Sequence, residues 1–348
     1  MAERKLFFAS DYMEGAHQNI IDKMVETNME STVGYGYDEY SDSAKKRIQK
    51  ACNSSNARVE LLVGGTQTNA TVIGAFLRTY EGVISAKSGH IATHEAGAIE
   101  LGGHKVLELE PCEGKITGEQ IEKYLKDYFK DGNVEHFVVP GMVYISQPTE
   151  YGTLYSLKEL TDISRVCKEY GLYLYVDGAR LAYALSSPVN DVSIPDLARL
   201  SDVFYIGGTK CGSLFGEAVV IPDPNSVSHF FNVIKQHGAC LAKGRMLGIQ
   251  FDELFKDDLY LRIGDSAIRY AGIIKEALTD NGYKLFFDSP TNQIFFIIDN
   301  DKMEKFGEHV DYAYGEIYDN NSTVIRLATS WATREDDVKE LIKIISDL

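Results

Sequence analysis

Apolar and polar positions come in blocks along this chain, and the blocks change period. Residues 59–63 form a short apolar run of strand type, after which Val72, Ile73, Phe76, Leu77 and Tyr80 fall on one face of a helix. The same switch recurs. Strands are predicted over 83–86 and 105–110, and a capping box of Thr117 and Gln120 opens a helix to about residue 130. Two strand segments, 137–140 and 142–146, are split by Pro140 and Gly141. A second capping box, Ser156 with Glu159, opens a helix that stops at Gly171. The run 172–176 is too continuously apolar and aromatic for one wet face, so it reads as a strand buried on both. A short helix at 196–200 leads to a last apolar run ending in Gly207 and Gly208. Strand and helix alternating from about 59 to 220 predict an α/β fold with a mostly parallel sheet covered by helices.

Outside this stretch the pattern differs. An arm precedes a helix over about 17–29, where Ile20, Ile21, Met24 and Val25 keep helical spacing. Residues 34–38 (Gly-Tyr-Gly-Tyr-Asp) are too glycine-rich for a regular element and form either a turn or a site loop. Beyond about 245 the chain is largely helical to 280. Strands of a second sheet follow at 286–299 and 324–329, and Thr333 with Asp336 caps a final helix to Leu348. The division expected is a large domain, 1–246, carrying the N-terminal arm, and a smaller α+β domain, 247–348.

Composition narrows the function. The 348 residues are 44% hydrophobic and 25% charged, enough for a sizeable core. A net charge of −16 argues against a nucleic-acid or anionic-membrane partner, though not against a small anionic ligand in a local pocket of donors. The five cysteines are scattered without a C-x-x-C pair, so neither a zinc site nor a disulfide framework is expected. No apolar run suits a signal peptide or a membrane span. A soluble protein of the reducing cytoplasm is the expectation.

Ligands of parallel sheets gather beyond the carboxyl ends of the strands, and four candidate groups fall there. Gly64-Gly65-Thr66-Gln67 joins a strand to a helix start, where free N–H groups face an anion. It lacks both G-x-G-x-x-G and G-K-[ST], so a single phosphate suits it better than a nucleotide; a plain tight turn is the alternative. His90 follows the 83–86 strand. His90 and His94 could share a helix face as metal ligands, but H-E-x-x-H is missing and no third ligand is evident, so no metal is expected. Asp177 and Lys210 supply a carboxylate and an amine.

These residues occur in a familiar order. Ser10-Asp11, Gly36-Tyr37-Asp38, the loop 64–69, His90 through Glu95, Val176 through Leu181, Thr209-Lys210 and Ile325 through Ser330 are similar to the motifs of the L-threonine aldolase family (low-specificity). Nearly the whole chain resembles that family, which lies within the aspartate-aminotransferase-like superfamily of pyridoxal 5′-phosphate (PLP) enzymes, fold type I. The resemblance implies that Lys210 binds the cofactor covalently and that Asp177 pairs with the pyridine nitrogen. Gly65, Thr66, Gln67 and Thr209 would hold the phosphate. His90 would stack on the ring and take the substrate hydroxyl proton, and Arg180 would bond the phenolic oxygen. Ser10, Arg180 and Arg326 would bind the substrate carboxylate. Tyr35 would reach a neighbouring subunit's site in a homodimer or homotetramer.

Two departures stand out. A second histidine often follows the 142–146 strand in the family, whereas Gln147 and Pro148 stand here. The family's G-G-G-M-R segment is Ala242-Lys243-Gly244-Arg245-Met246, so no phosphate contact is assigned to Lys243 or Arg245. The activity implied is cleavage of L-threonine, L-allo-threonine or a related β-hydroxy-α-amino acid to glycine and an aldehyde. A β-eliminating lyase or an aminotransferase would use the same Lys210 and Asp177. A non-catalytic scaffold without cofactor is a further alternative, and a nucleotide-binding module lacks both phosphate fingerprints.

Overall fold

The computed structural model describes residues 5–348. The arm contributes β1 (Leu6–Phe7). The central sheet is built from β2 (Arg58–Leu62), β3 (Glu81–Ala86), β4 (Val106–Leu109), β5 (Val139–Ser146), β6 (Tyr173–Asp177), β7 (Val203–Gly207) and β8 (Glu217–Ile221). Their order is β2-β8-β7-β6-β5-β3-β4. The strands from β4 across to β7 are parallel, and β8 runs antiparallel between β7 and β2. Alternate residues face opposite sides, as a pleated strand requires. Val143, Ile145, Leu174 and Val176 belong to one apolar cluster, while Met142, Tyr144 and Tyr175 belong to the other. Both faces are covered, which explains the unbroken apolar runs.

The second sheet is antiparallel and contains β9 (Lys284–Phe287) and β10 (Gln293–Asp299). After β11 (Val310–Asp311) it is completed by β12 (Ala313–Ile317) and β13 (Ser322–Ala328), in the order β12-β13-β10-β9. Helices Asp265–Asp280 and Glu335–Asp347 pack on it, and Leu6 and Phe8 of the arm enter the same core. β1 pairs parallel to β11 in a separate two-stranded sheet, which ties the arm to the C-terminal part of the chain.

Several expectations are corrected. The segments on either side of Pro140 form one strand. Gly82 faces Pro140 and Val83 faces Met142, so Gly141 is the extra residue of a bulge. The final helix is capped at Arg334, and Thr333 Oγ1 instead accepts from the Ser330 N–H at 2.7 Å. Helix Glu39–Ala51, capped by Asp38, and strands β8 and β12 were not foreseen. Helix Arg245–Leu254 packs against helices Gln18–Glu26 and Glu39–Ala51.

Candidate active site

The carboxyl ends of β5 and β6, and the loops after β2, β3 and β7, open into one cavity of about 720 Å³. That is ample for a small cofactor with a substrate. Gly65, Thr66, His90, Asp177, Arg180, Thr209, Lys210 and Arg326 all line it.

Asp177 ends β6 and is buried. Its Oδ2 accepts from the Tyr144 hydroxyl at 2.5 Å and from Asn69 Nδ2 at 3.3 Å, and its Oδ1 accepts from the Ala179 N–H at 2.9 Å. Three donors from three elements fix the carboxylate. Tyr144 reaches it because β5 and β6 are adjacent, with Ser146 opposite Asp177. Helix Gly65–Phe76 begins at Gly64 with no side-chain cap. The N–H groups of Gly65, Thr66 and Gln67 therefore lie in the first turn, where a helix offers no partner, and two of these residues border the cavity. A Cβ at Gly65 would come within 3.3 Å of the Tyr205 hydroxyl, so the glycine lets the backbone sit close to the site.

Lys210 follows β7 and is half-buried. Burial, reinforced by Arg180, lowers its pKa, while Asp11, Asp177 and Glu217 oppose the shift. Its ammonium lies 5.9 Å from the Tyr12 ring centre. Glu217 is buried at the start of β8, opposite both Gly207 of β7 and Leu62 of β2. Reversing one strand thus brings its first residue to the edge where its neighbours end. Glu217 accepts from the Gly208 N–H at 3.0 Å and from Thr209 Oγ1 at 2.9 Å. Burial pushes its carboxyl up to about 8. The Thr209 hydroxyl is thereby engaged with Glu217, and its oxygen also accepts from the Gly216 N–H at 3.0 Å.

Arg180 is held by Asp11, with Nε to Oδ2 at 2.6 Å and Nη2 to Oδ1 at 3.1 Å. Asn292 Nδ2 donates to the same Oδ2 at 2.9 Å. Burial would raise the Asp11 pKa, but Arg180 and Lys210 outweigh it and the carboxyl is held low. Arg326, on β13, donates to Gln293 Oε1 at 3.1 Å and to the Ala9 carbonyl at 3.0 Å. Its Nε is buried without a partner among the described residues. A buried guanidinium with a free donor suits a carboxylate ligand.

His90 opens the short helix His90–Thr93. Its backbone N–H donates to Glu150 Oε1 at 2.9 Å, and its Nδ1 meets Glu95 Oε1 at 2.8 Å. Burial raises the Glu150 pKa despite the Ser146 hydroxyl at 2.7 Å. His94, exposed, lies 5.7 Å from the His90 ring centre, and burial and the nearby His90 lower its pKa.

Three expected residues lie off the cavity wall. The Gln67 side chain turns to the Val63 N–H and the His237 carbonyl, leaving only its backbone N–H for an anion. The Ser10 hydroxyl is buried and unpartnered among the described residues. Tyr35, exposed and at φ 61°, has Lys235 Nζ 4.6 Å from its ring centre. Tyr144, Glu150 and Glu217 carry no signal in the sequence, whereas Asp11 and Asn69 each stand inside a motif of the resemblance without a role of their own.

A sequence model of the beta-eliminating lyase family matches residues 8–313. The low-specificity L-threonine aldolase of Pseudomonas aeruginosa is 30% identical over 99% of this chain and 98% of its own length. A solved structure of Leishmania major threonine aldolase is 42% identical, with a TM-score of 0.95 over 98% of this chain and 99% of that one. Thermus thermophilus aspartate aminotransferase, a double mutant, shares only the fold, at 13% identity and a TM-score of 0.72 over 99% of this chain and 91% of that one. With its parallel sheet, its lysine after β7 and its aspartate ending β6, the chain belongs to the beta-eliminating lyase family and, within it, to the low-specificity L-threonine aldolases.

Proposed function

We propose that this protein is a PLP-dependent aldolase that cleaves L-threonine, L-allo-threonine or a related β-hydroxy-α-amino acid to glycine and an aldehyde. The observation that carries the reading is the meeting of Lys210, Asp177, the uncapped helix start at Gly65–Thr66 and the Arg326 side chain in one cavity. These groups fit the cofactor. The helix start offers unpaired N–H groups to a phosphate, Asp177 offers a fixed carboxylate to a ring nitrogen, and Lys210 offers an amine. Bound PLP supplies an electron sink for the pair left when the Cα–Cβ bond breaks.

The chain's own residues do the rest. Lower basicity keeps more of the Lys210 amine neutral and nucleophilic. Asp177 holds the pyridine nitrogen in its protonated form, with Tyr144, Asn69 and Ala179 fixing the carboxylate. Arg326 orients the substrate carboxylate, which sets the scissile bond relative to the ring. Arg180, anchored by Asp11, assists from one side. His90 removes the β-hydroxyl proton.

The scattered free cysteines and acidic balance support a cytoplasmic setting, and no helix of the described residues is long and apolar enough to cross a membrane. A homodimer or homotetramer is supported by apolar side chains left exposed from the end of helix Gln18–Glu26 to residue 37, namely Val25, Met29, Val33, Tyr35 and Tyr37.

The test is product analysis with L-threonine. Acetaldehyde and glycine in equal amounts are expected, and Lys210→Ala should release neither. Ammonia with 2-oxobutanoate would instead establish β-elimination, and transfer of the amino group to an added 2-oxo acid without free ammonia would establish transamination.

A further inference from the structure

One amide ties two buried acids together. Asn69 Nδ2 donates to Glu95 Oε1 at 2.7 Å and to Asp177 Oδ2 at 3.3 Å. The Tyr175 hydroxyl donates to Asn69 Oδ1 at 2.7 Å, which fixes the end of the amide that faces the acids. Glu95 is buried, and its Oε1 also meets His90 Nδ1 at 2.8 Å. As a carboxylate Glu95 can only accept, so in its contact with His90 the Nδ1–H donates. A neutral imidazole carries one N–H, which leaves Nε2 as a bare acceptor. A carboxylate that sets the tautomer of a histidine base in this way also stabilises the imidazolium formed when the base takes a proton.

The rival bases are placed less well. Gln147, where the family's second histidine would stand, spends its side chain on the backbone of Tyr155, at 3.0 Å and 2.9 Å. His94 is exposed, and its Nδ1 contacts Thr93 Oγ1 of its own helix.

We propose that Glu95, held by Asn69, is a positioning residue that fixes His90 with Nδ1 protonated, so that Nε2 accepts the β-hydroxyl proton of the substrate. The proposal rests on the aldolase reading above. The proton passes from the hydroxyl oxygen to Nε2, the oxygen keeps the bonding pair, and the imidazolium charge is met by the Glu95 carboxylate. Asp177 and His90 are thereby linked through two side chains, Asn69 and Glu95.

The test compares two reactions of the holoenzyme. L-threonine cleavage needs the β-hydroxyl proton removed, whereas exchange of the glycine α-proton with solvent does not. Glu95→Gln keeps an acceptor oxygen but loses the charge, and should lower kcat for cleavage about tenfold or more. Glu95→Leu loses both, and should lower it about 100-fold. In each variant KM and the glycine exchange rate should stay within about threefold of wild type, with Glu95→Asp recovering part of the loss. Nitrogen-15 NMR of labelled histidines, with His90 assigned through His90→Asn, should show a protonated Nδ1 and a bare Nε2 in wild type and a tautomer mixture in Glu95→Leu. Unchanged cleavage, a parallel fall in cleavage and exchange, or loss of the bound cofactor's absorbance in Glu95→Gln would each overturn the proposal. Wild-type protein that releases no acetaldehyde would defeat the aldolase reading instead, and the NMR tautomer would still judge the role of Glu95.

Discussion

Glu217→Gln replaces a buried carboxyl by an amide of the same shape that cannot ionise. The Gly208 N–H can stay on the amide oxygen, and Thr209 Oγ1 can accept the new N–H in place of donating. Burial sets the wild-type carboxyl at about 8 rather than its ordinary 4.5. Between those values the folded protein keeps a proton that the unfolded chain has released. A raised folded-state pKa contributes stability that is complete below the unfolded value and is lost as pH climbs through the folded one. At about 1.4 kcal/mol per pH unit, the loss between pH 6 and pH 9 comes to about 3 kcal/mol. For a chain of this size that corresponds to a Tm change of roughly 5 °C. Thermal melts of wild type and Glu217→Gln across that range isolate the effect, because other titrating groups cancel in the difference. The advantage of wild type over the variant should shrink by about 5 °C as pH rises from 6 to 9. A difference that stays flat, or that grows with pH, would refute the reasoning.

Two other changes probe the site. Arg326→Leu removes the free guanidinium donor and should raise KM for L-threonine about 10- to 100-fold, the worth of a charge-assisted hydrogen bond, as steady-state kinetics would show. Gly178→Ala would place a Cβ 2.1 Å from the Tyr205 carbonyl, displacing the turn after Asp177. A loss of about 1–3 kcal/mol in denaturant unfolding is expected, together with weaker PLP binding in a fluorescence titration.

What the sequence made legible was mostly local. The capping boxes at Thr117 and Ser156 declare their helices within four residues, and both hold in the structure. The doubly buried β6 was readable from its unbroken apolar run. The chemistry at strand ends was readable too, because parallel strands deliver their last residues to one edge. Sheet order was not readable. Nothing local says that β8 reverses between β7 and β2, and without that reversal Glu217 has no reason to enter the site. Tyr144 stayed hidden for a related reason: its bond to Asp177 depends on β5 lying beside β6 in a particular register. Helix Glu39–Ala51 escaped because it buries only Ser41, Ala44 and Ile48, too thin a stripe to register as a helical face. The Tyr35 loop failed to declare itself because glycine-rich segments carry no period, and Tyr35 lies off the cavity wall.

The N-terminal arm has a consequence of its own. It runs beside β11, offers the Ala9 carbonyl to Arg326, grips Arg180 through Asp11 and reaches Asn292, just before β10 of the second sheet. The segment from Leu6 to Asp11 therefore acts as a tether that keeps two guanidinium groups at their posts. Initiation from a later codon, or nicking by a peptidase past residue 11, would disarm both at one stroke while sparing every strand of the central sheet.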